Sequence, residues 1–150
     1  SRSEYPFHLD GDKLRIGSKM IGSITSISDH RLTLKFGDTD YNYYRLKQHS
    51  LPFNEVQLRK NLIKNKWILN ESSLEFTNDS GNIENSFKVI EYQAQKKFFG
   101  VYLTDSFHSN LFLTLIIDGK PMEFHFRVAN IKDSEIELET AEGKKLEMHK

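Results

Sequence analysis

The chain predicts an all-β fold of antiparallel, meandering strands closed into a barrel, and three observations carry that reading. Apolar and polar residues alternate with a period of two. The clearest run is MEFHFRV, where Met122, Phe124, Phe126 and Val128 share one face and Glu123, His125 and Arg127 the other. Turn signals recur at short spacing, at Asp10-Gly11, Asp38-Thr39-Asp40, Asn78-Asp79-Ser80-Gly81, Asp118-Gly119 and Glu142-Gly143. Finally, ITSISDHRLTLKF, Ile24 to Phe36, returns 104 residues later as VANIKDSEIELET, with Ile24, Ile27, Asp29, Leu32 and Leu34 matching Val128, Ile131, Asp133, Ile136 and Leu138 without a gap.

Taken in order, the pattern predicts about ten to twelve strands. The front ones run from Tyr5 to Leu9, Lys13 to Ile16, Lys19 to Ile27, Arg31 to Phe36 and Tyr41 to Lys47. In the fourth, Leu32, Leu34 and Phe36 oppose Arg31, Thr33 and Lys35. Gly17 and Gly22 stand in strand context, where a bulge or bend accounts for them. The back strands run from Lys66 to Thr77, Ile83 to Tyr92, Lys97 to Thr104, Leu111 to Ile117, Pro121 to Ile131, Glu135 to Glu139 and Lys144 to Met148. In KKFFGVYLT, Phe99, Val101 and Leu103 fall on one side and Phe98, Gly100, Tyr102 and Thr104 on the other, so that strand is expected to be covered on both faces.

One segment breaks the alternation. In NEVQLRKNLIKNKW, Asn54 and Gln57 have capping-box spacing, while Val56 and Ile63, and Leu58 and Leu62, recur at helical intervals. A short helix near 55–64 follows, entered through Leu51-Pro52-Phe53. The expected organisation is one domain over 1–150: a front meander (1–50), a helical connector (51–65) and a back meander (66–150).

Composition narrows the function classes. With 150 residues the chain can bury a real core. Lys+Arg and Asp+Glu are equal at 21 each, so there is no electrostatic footprint for a nucleic-acid backbone or an anionic membrane surface. The longest apolar run, Leu111 to Ile117, is far shorter than the roughly 20 residues of a spanning helix. No cysteine is present, which excludes disulfides, thiolate ligands and a cysteine nucleophile. The opening SRSEYPF has no signal-peptide pattern, leaving the cytoplasm, or a cell envelope after signal removal, as expected locations. His8, His30, His49, His108, His125 and His149 show no metal-ligand spacing, and neither a phosphate loop, a nucleophile elbow nor a paired-carboxylate motif occurs. The sequence thus predicts neither catalysis, a metal nor a cofactor.

The repeat admits two explanations: any two strand-turn-strand runs share alternating apolar residues and a turn Asp, or the chain holds two related meanders. YPFHLDGDKLRIG followed by ITSISDHRLTLKFGDTDYNYYRL resembles the closing half of small bacterial lipocalin-like (calycin-type) domains. LIKNKWILN and LEFTNDSGN resemble the opening of such a domain, although Asn65-Lys66 precedes Trp67 where the classical signature has Gly-x-Trp. The resemblance implies either the tail of one lipocalin-like unit followed by a shortened second one, or one barrel completed by extra N-terminal strands.

It also implies a noncatalytic protein that binds a small apolar ligand. Trp67, Phe76, Phe99, Phe112, Phe124 and Phe126 are the expected pocket walls, with Tyr102 as a polar handle. Equally, rings on the inner face of a small barrel fill its core. The alternative is a protein-interaction or structural β module, a homodimer included, that pairs through sheet edges or faces. Tyr41 and Tyr43 of the ring-rich stretch Tyr41 to Tyr44 would then cover a neighbouring element or form the partner surface.

Overall fold

Alternation is realised as thirteen strands and one helix among the described residues, which in this computed structural model are 5–46, 49–78, 85–91, 94–120 and 123–150. Two compact units are formed, Ser1–Lys47 and Gln48–Lys150.

The first unit is a five-stranded antiparallel meander of β1 (Phe7–Asp10), β2 (Lys13–Ile16), β3 (Lys19–Ile27), β4 (Arg31–Phe36) and β5 (Thr39–Tyr44), in that spatial order. Gly11, Gly17 and Gly37 take positive φ in its turns. Gly22 pairs with Leu14 beside a register shift between β2 and β3, so the expected bulge is present, and on its other side a Cβ would lie 2.8 Å from the Lys35 carbonyl of β4, a close approach that requires glycine.

The second unit opens with α1 (Glu55–Lys64). The Asn54 side chain accepts from the Gln57 amide at 3.0 Å and the Gln57 side chain from the Asn54 amide at 2.9 Å, so the capping box read in the sequence is formed. Leu58 and Leu62 are fully buried, whereas Val56 and Ile63 point to solvent. Eight strands then close into an up-and-down antiparallel barrel: β6 (Lys66–Leu69), β7 (Ser72–Thr77), β8 (Asn85–Glu91), β9 (Lys96–Phe107), β10 (Asn110–Ile117), β11 (Glu123–Ile131), β12 (Glu135–Glu139) and β13 (Lys145–His149). The seam between β13 and β6 is short, pairing Met148 with Leu69 and His149 with Ile68. Closure removes the sheet edges that a flat eight-stranded sheet would expose.

Several expectations are corrected. The strand expected from Lys66 to Thr77 is a hairpin, turned at Asn70-Glu71, because Asn70 adopts φ 53°. Asn tolerates the left-handed region through local hydrogen bonding, so no glycine marks this turn. The strand expected to stop at Thr104 continues to Phe107 and turns through His108 and Ser109, both at positive φ. The first strand runs Phe7–Asp10 and the fifth Thr39–Tyr44. Lys47, the turn residues Asp79-Ser80-Gly81, Ile83, Tyr92, Pro121 and Met122 lie outside the described residues.

The sequence repeat is also a structural repeat. In β3–β4, Ile24 pairs with Leu34, Ser26 with Thr33 and Ile27 with Leu32, leaving Thr25 as a bulge. In β11–β12, Val128 pairs with Leu138, Asn130 with Glu137 and Ile131 with Ile136, leaving Ala129 as a bulge. Every pair is displaced by the same 104 positions. The turns agree as well: the Ser28 amide donates to the Arg31 carbonyl and the Lys132 amide to the Glu135 carbonyl, both at 2.8 Å. A shared run of alternating residues does not by itself require a shared bulge, so the two halves hold one meander twice.

Candidate binding site in the barrel

Because successive side chains alternate across a strand, each barrel strand sends every second residue inward. The inner set includes Trp67 from β6, Leu74 and Phe76 from β7, Phe87 and Val89 from β8, and Tyr102 from β9, all in one buried core with Leu58 and Leu62 of the helix. Each such large side chain, once fully buried, contributes on the order of 1.5–3 kcal/mol. Phe76 stacks on Phe87 with ring centroids 5.8 Å apart and meets Tyr102 edge-on at 5.1 Å. Gly100 makes room for this cluster. A Cβ there would come within 2.1 Å of the Ile116 carbonyl and 2.8 Å of the Phe87 ring.

Helix α1 packs on β6, β7 and β9, so it covers the end of the barrel where β6 begins. The Trp67 indole donates to the Leu62 carbonyl at 3.0 Å. Arg59 Nε donates to Thr104 Oγ1 at 2.6 Å, and Ser106 Oγ donates to Glu55 Oε1 at 2.8 Å, fixing the helix to β9. The hairpins β6–β7, β8–β9, β10–β11 and β12–β13 all turn at the opposite end. There the inner positions are Leu69, Phe98, Ile117, Phe124 and Leu146, half-buried and packed on the core, and Lys120 Nζ lies 4.1 Å from the Phe98 ring centroid. One end of the barrel is thus capped by a helix and the other rimmed by apolar side chains.

The hydroxyl of Tyr102 is unusual in this setting. Tyr102 is fully buried, yet its oxygen has no hydrogen-bond partner among the described residues. Burial pushes its ionisation above the ordinary tyrosine value, with the charge of Arg59 acting in the opposite sense. A buried polar atom without a partner costs about 1–3 kcal/mol, a cost that a bound polar group or water would remove. Among the described residues, the Ser73 hydroxyl is also buried without a partner.

The predicted wall residues divide. Trp67, Phe76, Tyr102 and Phe126 come together in the buried interior, and Phe124 stands at the rim. Phe99 does not join them. It is 58% exposed and shares the outer face with Leu103, because Gly100, Tyr102 and Thr104 set the inward phase of β9. Phe112 likewise falls on the outer face, since Leu111, Leu113 and Leu115 take the inward positions of β10. Sequence reasoning omitted Phe87 and Phe98, although the alternation of Phe87 with Val89 carried the signal for the first.

Outside the barrel, the cross-strand neighbours Glu135 and His149, with Glu147, bring three ligand-type atoms within 4.8 Å of one another. Glu135 is already engaged by Lys132 at 2.9 Å and faces His149 at 3.7 Å. Such a group cannot be read from spacing along one strand. His49 is also engaged, its Nε2 donating to the carbonyl of the bulge residue Ala129 at 2.8 Å.

Among the described residues no helix is long and apolar enough to cross a membrane. Comparison of the chain with protein-family models, with curated proteins and with solved structures finds no match.

Proposed function

We propose that the chain is a noncatalytic, lipocalin-like binding protein whose barrel takes a small, largely apolar molecule through the rim opposite helix α1. The observation that carries this reading is the partnerless hydroxyl of Tyr102, a fully buried side chain packed edge-on against the Phe76 ring in the apolar core cluster. Binding sites for small molecules combine apolar walls with a few placed polar groups. Phe124 and Phe98 at the rim would form the entry, Phe76, Phe126 and Trp67 the walls, and Tyr102 the group that orients the ligand.

The test is mass spectrometry of an organic extract of freshly purified protein, set against a folded control protein from the same host. A stoichiometric apolar compound, lost or reduced in a Tyr102→Phe variant, supports the reading. An empty extract, together with failure to bind apolar dyes, removes it.

A second reading is favoured by a different observation. In the five-stranded sheet, β1 and β5 each pair with a single neighbouring strand among the described residues, so each is an edge strand of that sheet. Such edges suit a protein-interaction module that pairs through added strands.

A further inference from the structure

The outer wall of the barrel is not uniform. On β12 and β13 the outward positions are Glu135, Glu137, Glu139, Lys145, Glu147 and His149, as expected of a sheet face turned to water. On β9 the outward phase instead carries Phe99, Val101 and Leu103 in succession. Phe99 is 58% and Leu103 49% exposed, and β10 widens the strip because Ile116 stands opposite Val101. Large apolar side chains on adjoining outward positions form one patch, where scattered single residues would need no explanation.

The two ends of this strip are charged, with opposite sign. Alternation puts Lys97 on the same face just before Phe99, at the end of β9 near the apolar rim. It puts Asp105 just beyond Leu103, at the end near helix α1. The outward series along the strand is therefore Lys97, Phe99, Val101, Leu103, Asp105, with the cation and the anion equally far from Val101. Turned end for end, this series complements itself. A two-fold axis at Val101 lays Lys97 of one strand against Asp105 of the other, Phe99 against Leu103, and Val101 against its own copy. Laid in the same direction, the two strands would set like charges together. Self-complementarity of this kind is what an isologous dimer requires.

We infer that the outer face of β9 and β10 is the interface of a two-fold dimer of this chain, with the β9 strands of the two barrels facing each other antiparallel. A second copy is the occupant because the face carries both members of each ion pair and an apolar centre matched to itself. Burial of Phe99, Val101 and Leu103 supplies the attraction, and the Lys97–Asp105 pairs set the direction. This surface belongs to the barrel and is distinct from the edges of the five-stranded sheet.

The experiment is sedimentation velocity on the full chain over a dilution series, comparing the wild type with Phe99→Asp, Lys97→Glu, Asp105→Lys and Lys97→Glu/Asp105→Lys. Three results together support the inference: a reversible monomer–dimer equilibrium, at least about tenfold weakening by Phe99→Asp, and weakening by each single charge reversal that the double reversal restores. A charge that served only the fold of its own barrel could not be rescued in that way. The substituted side chains project away from the barrel core, and thermal melts verify that each variant is folded. A chain that sediments as a monomer at every concentration overturns the inference. Self-association that Phe99→Asp leaves unchanged also overturns it and places the contact elsewhere, the edges of the five-stranded sheet included. A dimer that the double reversal fails to restore overturns the antiparallel arrangement.

Discussion

The Trp67 indole nitrogen lies 3.0 Å from the Leu62 carbonyl, so the first residue pair of the barrel is tied to the last turn of the helix that caps it. That carbonyl belongs to the C-terminal turn, where the helix itself supplies no partner. A Trp67→Phe change leaves it unpaired in a buried place and should lower the stability of the barrel by about 1–3 kcal/mol. Trp67→Ala should cost about 3–5 kcal/mol through the added cavity. Urea titration followed by circular dichroism measures both, because Trp67 is the only tryptophan and its fluorescence disappears with it.

Tyr102→Phe removes a buried oxygen that has no partner. The ligand-free barrel should therefore become more stable by up to about 1–3 kcal/mol, in contrast to the loss that follows when a paired hydroxyl is deleted. Thermal melts of delipidated protein decide it. A lower melting temperature would mean that water or a bound molecule satisfies the hydroxyl.

Gly100→Ala should be among the most damaging single-methyl insertions in the chain. The new Cβ meets a backbone carbonyl and the Phe87 ring, and the carbonyl cannot move without breaking the β9–β10 ladder. A loss of about 1–3 kcal/mol or more is expected, read as a fall in the denaturation midpoint.

Glu75 stands between Lys66 and Lys88, its direct partners on the two neighbouring strands, at 3.1 and 3.3 Å. Hydrogen bonds from Lys66 and then Lys88 hold its ionisation below the ordinary carboxylate value of 4.5. A folded-state pKa below the unfolded one adds stability above about pH 4.5, lost as the pH falls through the lower folded value. Glu75→Gln should therefore lower the melting temperature slightly at pH 7, and the difference should vanish at strongly acid pH and shrink in high salt. A difference that persists in acid would point to packing instead of charge.

Strand positions and the helix were legible because each is written locally. The alternation of Phe124, Phe126 and Val128 and the Asn54–Gln57 pair need no distant partner to be recognised. Where left-handed turns lack glycine, as at Asn70 and at His108-Ser109, the chain offers no such mark. The inward phase of β9 was hidden for another reason: Phe98 and Phe99 offer a ring to each face, and only the fit of Gly100 against Phe87 chooses between them. The division into a five-stranded sheet and an eight-stranded barrel was least visible. It hinges on the few pairs joining β13 to β6, which are remote in sequence.

The bulges at Thr25 and Ala129 have a consequence for how the polypeptide reaches its native state. Two stretches of one molecule offer β6 to β8 nearly the same template, in nearly the same register. While the chain collapses, those three strands can add to either one, and only one choice leads to the barrel. Refolding from denaturant should then show a slow second phase as misregistered molecules unpair, in addition to the fast one. Stopped-flow measurements on the wild type and on Ile27→Asp/Tyr43→Asp should find that phase diminished in the variant, because its decoy template no longer accepts an apolar strand.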